Sequence, residues 1–223
     1  LNLEISSSFQ KPEEKLTLND GKGIEFIRNI IFDIKENKKV RIGEITFQGN
    51  ESISDFWLRW QMKKTKQQNW YFFWRSTFDE KEFKEDLKLI STYYSNKGYK
   101  DFEIVSDSID YSLDGEKMKI IIAVNEGPQY KYRNFTWEGM TLFNEETLNR
   151  ALAIDKSETY SEEDFNLAVF SRVQGLYLDR GYIYSRVEPQ ITPIGDDSLD
   201  VNFMITENHK VFINNISIIG NSR

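Results

Sequence analysis

Glu126-Gly127-Pro128-Gln129-Tyr130-Lys131-Tyr132-Arg133-Asn134-Phe135-Thr136-Trp137-Glu138-Gly139-Met140 is one of three segments that align without a gap. Glu36 to Asn50 and Glu207 to Asn221 are the others, and in each thirteen positions separate glutamate from glycine (49−36, 139−126, 220−207). Val40, Tyr130 and Val211 correspond, as do Ile45, Phe135 and Ile216. Self-similarity of this kind marks a repeat protein.

Working backwards, Ile30, Phe32 and Ile34 match Ile120, Ile122 and Val124, and then Val201, Phe203 and Ile205. Spacing by two predicts a strand with one face in a core. Forwards from the glycine, two helices are predicted. The first opens at Ser54 or Asn144, whose side chains can cap free N–H groups, with Ile53/Leu58 and Phe143/Leu148 as hydrophobic staples. The second opens at Asp79 or Ser161, with Phe78/Phe83 and Tyr160/Phe165 as staples. Phe83, Leu87, Ile90 and Tyr94 form its apolar stripe; Phe165, Val169, Val173 and Leu176 form the other, drifting by one residue at the end. Gly98-Tyr99 and Gly181-Tyr182 stop the two helices. Extended segments follow, Asp101–Tyr111 and Ser185–Ile194, each turning at Asp114-Gly115 or Gly195-Asp196-Asp197 into the alternating strand.

The module therefore reads β-α-α-β-β. Complete copies occupy 37–126 and 127–207, residues 1–36 read as the closing hairpin of an earlier copy, and 208–223 as the first strand of a later one. The third strand, Lys119 to Val124, is apolar on both faces and belongs at the centre; Pro189 and Pro193 consign the second strand to an edge. The expected fold is α+β: tandem modules, each a three-stranded mixed sheet of order 1-3-2 with two helices on one face.

Composition narrows the function classes. Hydrophobic residues make up 39% and charged residues 29%, which suits a folded chain. A formal charge of −7 argues against a nucleic-acid partner, and the lack of cysteine removes disulfides, thiolate metal sites and thiol nucleophiles. No apolar run reaches the ~20 residues of a membrane helix. Leu1 to Ile5 carry no leader pattern, so any targeting signal is expected outside this sequence.

The β-α-α-β-β order, the Phe47-Gln48-Gly49-Asn50 turn, the Phe78-Asp79…Phe83 helix start and the Tyr93-Tyr94…Gly98-Tyr99 stop resemble the polypeptide-transport-associated (POTRA) domain. The tandem is similar to the periplasmic part of outer-membrane β-barrel assembly factors, and Phe73-Trp74-Arg75-Ser76 resembles the Bacteroidetes version. The resemblance implies a carboxy-terminal membrane β-barrel, accessory lipoproteins, unfolded outer-membrane proteins as clients, and a periplasmic location. It implies neither enzyme activity nor a cofactor. Two-partner secretion transporters carry such domains too, so a dedicated secretion module, or a structural spacer, is the alternative.

Residue chemistry points the same way. His209 is the single histidine and aligns with Lys38 and Pro128, so the repeat does not need it. Asp79-Glu80, Glu145-Glu146 and Glu162-Glu163-Asp164 sit in first helical turns, where capping and the helix dipole account for them. No pair of glycines has the GxxG spacing of a KH-type RNA-binding loop.

Two candidate binding features remain. The edge strand Ile104-Val105-Ser106-Asp107-Ser108-Ile109 has no proline and can receive an extended client by β-augmentation, although its apolar pattern changes parity as a bulge would make it. From cap to cap the first module is eight residues longer than the second, 54 to 79 against 144 to 161. That insertion holds Trp70-Tyr71-Phe72-Phe73-Trp74, which either packs on the modules or docks a partner or membrane.

Overall fold

Met118, Ile120, Ile122 and Val124 are all buried while Lys117, Lys119, Ile121 and Ala123 between them are not, so the spacing by two does mark a sheet with one covered face. The structure is a computed structural model that describes residues 3–9, 30–36, 40–68, 78–113, 115–217 and 219–220, the first two stretches as backbone only. In chain order the elements are β1 (Leu3–Phe9), β2 (Ile30–Glu36), β3 (Arg41–Gln48), α1 (Asp55–Gln61), α2 (Glu80–Ser95), β4 (Glu103–Tyr111) and β5 (Lys117–Asn125). Next come β6 (Lys131–Glu138), α3 (Glu145–Leu152), α4, β7 (Arg186–Ile194) and β8 (Ser198–Thr206). The α4 helix runs from Glu162–Asn166 through a π-helical stretch, Leu167–Val173, to Gln174–Asp179.

β1 and β2 form an antiparallel pair. Two three-stranded sheets follow, ordered β3-β5-β4 and β6-β8-β7. In each, the first strand runs parallel to the central one and the second antiparallel, so the expected 1-3-2 mixed order is observed. One core joins Ile42, Ile45, Ile120 and Ile122 to Leu58, Phe83, Ile90 and Tyr94; the other joins Val201 and Phe203 to Leu148, Phe165, Val169 and Tyr177. Leu58 and Leu148 are fully buried, and each burial contributes roughly 1.5–3 kcal/mol.

The helix starts follow the sequence with one exception. Asp79, Asn144 and Ser161 accept from the amides of Glu82, Thr147 and Asp164. Ser54 makes no side-chain cap; Asn50 instead bonds the Ile53 carbonyl at 2.9 Å and Asp55 at 2.8 Å, fixing the entry turn from outside the helix. The staples Phe78–Phe83 and Tyr160–Phe165 are in ring contact at 5.6 and 6.1 Å.

The expected stripe residue Leu176 is only partly buried, and Tyr177 holds the place that Tyr94 fills in α2. The reason is one extra residue. Cap to stop glycine is 19 positions in the first unit (98−79) and 20 in the second (181−161). The π-helical stretch absorbs the addition, as single-residue insertions into helices commonly are absorbed.

A glutamate after each central strand ties a unit together. Glu126, buried, accepts from the Ser52 amide at 2.9 Å and the Tyr94 hydroxyl at 2.9 Å. Glu207 accepts from Thr141 N at 2.7 Å and Leu142 N at 2.8 Å. These are the glutamates that define the repeat. The glycine thirteen residues after Glu126 is equally constrained: a Cβ at Gly139 would fall inside van der Waals contact of the Ile205 carbonyl.

The stop glycine of α2 also joins the units. Gly98 O accepts from Tyr130 N at 2.9 Å, and Gly181 O from Val211 N at the same distance, so the junction repeats. Around the first junction, Tyr130 donates its hydroxyl to Asp101 at 2.6 Å and Gln129 donates to Lys97 O at 2.8 Å. Asn96 and Glu163 exchange two bonds, at 3.0 and 3.1 Å. The bond to Asp101, with burial, pushes the Tyr130 phenol up to about 12.

Gly98 has φ +97° and its missing Cβ would stand 2.7 Å from Thr159 and 2.9 Å from Gln129 of the next unit. Gly98→Val therefore costs on the order of 1–2 kcal/mol for the left-handed backbone alone, plus displacement of the neighbouring unit. A thermal melt is expected to shift down; an unshifted melt would mean that this backbone tolerates a side chain.

Candidate functional site

A three-stranded sheet leaves two strands with an unpaired row of N–H and C=O groups, and these rows must be covered, blunted or used. In the first unit the edges are β3 and β4; in the second, β6 and β7.

The link between the two helices covers the beginning of the first edge of each sheet. Gln68 N donates to Ile42 O at 2.6 Å, and the Gln67 side chain accepts from Ile45 N at 3.4 Å. In the second unit Ser157 N donates to Tyr132 O, Tyr132 N to Glu158 O, and Tyr160 N to Tyr130 O. The approach of this link in the first unit depends on Asp86, which is fully buried. Its carboxylate accepts from Lys63 N at 2.7 Å, Lys64 N at 3.1 Å and Thr65 N at 2.5 Å. Ala168 stands at the matching place on α4. Nothing in the local pattern around Asp86 betrays this role, because its partners lie some twenty residues earlier.

β7 is blunted instead. Pro189 pairs with Phe203 and Pro193 with Leu199 in an unbroken register. Proline has no N–H, so in a regular antiparallel ladder both occupy the outward row, leaving Val187 and Ile191 as that row's only donors between Val187 and Pro193.

β4 is the strand that contains Ile104, Val105, Ser106, Asp107, Ser108 and Ile109, and it lies at the sheet edge. Its register shifts between Ile104 and Ser106, so Val105 is the bulge that the change of parity suggested. Beyond the bulge the parity is fixed by Ser112, whose N–H donates to Lys117 O at 2.9 Å. Even-numbered residues from 106 to 112 therefore face β5, and the N–H groups of Asp107, Ile109 and Tyr111 face outward without interruption. Asp107 pairs with Ile122 as Pro189 pairs with Phe203, and Tyr111 with Met118 as Pro193 with Leu199.

The other expected feature, Trp70-Tyr71-Phe72-Phe73-Trp74, lies outside the described residues, as does Phe73 to Ser76 with its Bacteroidetes resemblance. His209 is exposed, its ring 5.5 Å from that of Tyr184. Among the described residues no group of three or more His, Cys, Asp or Glu is placed to hold a metal ion, and no helix is long and apolar enough to cross a membrane. A surface the sequence reading missed is the outer side of α1, where Phe56, Trp57 and Trp60 are exposed. Aligning α1 with α3 would have revealed it, since Glu146, Thr147 and Arg150 take those places.

Comparison with known proteins agrees with this architecture. The POTRA family model, described as a surface antigen variable number repeat, matches residues 40–127 and 130–208. The outer membrane protein assembly factor BamA of Neisseria meningitidis serogroup B is 31% identical over 200 residues, 87% of this chain and 25% of that protein. BamA of Buchnera aphidicola is 25% identical over 95% of this chain and 34% of its own length. The chain thus spans a quarter to a third of the curated relatives it matches. Among solved structures, POTRA domains 3–5 of Haemophilus influenzae BamA superpose with a TM-score of 0.61 at 24% identity, covering 82% of this chain and 72% of that one.

Two outcomes test the hydrogen bonds that frame the edges. Asp86→Ala strands three amides beside the link, and the expected loss is roughly 2–4 kcal/mol, read as a lower denaturation midpoint. Glu207 is pulled both ways: burial disfavours its charge, but bonds from Thr141 and Leu142 prevail and hold its carboxyl below the ordinary 4.5. A depressed folded value means that the stabilisation is present above 4.5 and disappears as pH falls through the folded value. Glu207→Gln should melt below the parent at neutral pH, with the gap closing in acid; a pH-independent gap would contradict this.

Proposed function

Since the chain belongs to the POTRA domain family, we propose that it is part of the periplasmic receptor region of an outer-membrane β-barrel assembly factor. On this reading unfolded outer-membrane proteins are bound as extended strands, and no bond is made or broken. A carboxy-terminal barrel and accessory lipoproteins belong to the same machine. The complete modules are 37–126 and 127–207. Residues 1–36 close an earlier module, which the β1–β2 pairing supports. Residues 208–223 open a later one, which the repeated Gly181–Val211 bond supports.

The observation that carries the client-binding part is the uninterrupted outward row at Asp107, Ile109 and Tyr111, against the partly covered edges of β3 and β6 and the proline-gapped edge of β7. Main-chain pairing to an edge gives affinity with little dependence on sequence, which suits a receptor for many clients. Val105 and the polar Ser106-Asp107-Ser108 run that follows disfavour permanent pairing with another copy.

The test transplants the difference between the two edges. Asp107→Pro with Tyr111→Pro places prolines where Pro189 and Pro193 already sit, so the sheet should keep its melt. A photo-crosslinker at Ser108 in cells exporting barrel proteins should capture clients in the parent and several-fold fewer in the proline variant, with little capture at Thr192 in either. Equal capture at Ser108 and Thr192, or indifference to the prolines, would refute augmentation at β4.

A further inference from the structure

α1 carries large apolar side chains that its core does not require. Leu58 and Met62 are fully buried and attach it to the sheet. Its other side presents Phe56, Trp57 and Trp60 at 58%, 51% and 67% exposure. The rings form one cluster, Phe56 lying 5.4 Å from Trp57 and 6.4 Å from Trp60. The second unit folds the same helix with Glu146, Thr147 and Arg150 there, so the fold does not demand aromatics.

Charge separates the two helices further. From Ser54 to Lys66, four basic residues (Arg59, Lys63, Lys64, Lys66) face one acid (Asp55), a balance of +3 in a chain of −7. The matching stretch from Asn144 to Lys156 has two basic residues and three acids, a balance of −1. Glu85 pairs with Lys64 at 2.5 Å across a solvent-exposed gap where a headgroup phosphate can compete, whereas Arg59 is held against the sheet by Asp55 at 3.3 Å and the Ile45 carbonyl at 3.0 Å.

We propose that this outer face of α1 docks on an anionic phospholipid surface, Phe56, Trp57 and Trp60 entering the interfacial zone and the exposed Lys63 and Lys64 meeting the headgroups. Indole rings favour that zone because one end is apolar and the other donates a hydrogen bond. Basic side chains beside an apolar helix face are the usual companions of interfacial binding. An apolar groove on a protein would accept the rings but use the cations only where its rim is acidic; an acidic leaflet offers both an apolar interior and anionic headgroups. The assignment is independent of client binding at β4.

Sedimentation of the 223-residue chain with vesicles tests it. The parent should sediment with vesicles of equal parts phosphatidylcholine and phosphatidylglycerol, less with phosphatidylcholine alone, and less again in high salt. Replacing Phe56→Glu, Trp57→Thr and Trp60→Arg installs the second unit's residues and should lower partitioning at least about tenfold, because apolar surface no longer leaves water. Should that variant not fold, Trp60→Ala alone, at the most exposed ring and with the charge unchanged, is expected to move partitioning the same way. A control deletes residues 70–76, seven positions that make Gln68 to Asp79 match Ser157 to Ser161 (11 − 4 = 7). It should still sediment. Failure of the parent to sediment with acidic vesicles overturns the proposal, as does unchanged binding by the α1 variants or loss of binding in the control.

Discussion

Every backbone N–H and C=O at the rim of a small sheet needs a partner or access to water, and a three-stranded sheet has only one strand satisfied on both sides. That constraint organises both units. The link between the helices spends its own backbone on β3 and β6, through Gln68 in one unit and Ser157, Glu158 and Tyr160 in the other. The central strands need no help. What differs is the remaining edge: β7 has lost two outward donors to proline, whereas β4 keeps the matching two at Asp107 and Tyr111. One fold, placed twice in a chain, thus yields one edge with an unbroken outward row and one blunted edge.

Repetition also exposes where the units are specialised. Glu126 and Glu207 tie the end of the central strand to the turn before the first helix in the same way, and Gly98 and Gly181 pass the chain to the next unit through the same carbonyl. Against that shared frame, Asp86 in place of Ala168, Phe56, Trp57 and Trp60 in place of polar residues, and the longer link all belong to the first unit. They cluster on α1 and the link that follows it. A buried carboxylate that gathers three amides is a costly way to shape a turn, and Asp86 shapes the one that leads from α1 into the link.

Much of this was legible before any coordinates. Alternation found the central strands, the Phe-Asp and Gly-Tyr pairs bounded the second helices, and the broken parity of Phe102 to Tyr111 signalled the Val105 bulge. Local patterns failed where the cause was not local. Ser54 has the right chemistry for a cap, but Asn50 and Asp55 stabilise that turn instead. Leu176 fits a 3.6 period that the π-helical stretch breaks, and only the longer count from Ser161 to Gly181 betrays it. The outward row of β4 could not be fixed from periodicity, because the bulge resets it; one bond, Ser112 to Lys117, settles it. The edge itself was visible through what it lacks, proline.

The most direct measurement is amide hydrogen exchange along β4, residue by residue, in the chain alone and with a synthetic peptide copying one membrane strand of a barrel protein. Outward amides at Asp107, Ile109 and Tyr111 should exchange fast in the chain alone, while Ser108 and Asp110, bonded to β5, stay slow. Adding the peptide should slow the outward three and leave Val187 and Ile191 on β7 unchanged. Protection of the outward three before any peptide is added, or no response to it, would contradict the claim that this edge is held open for a strand.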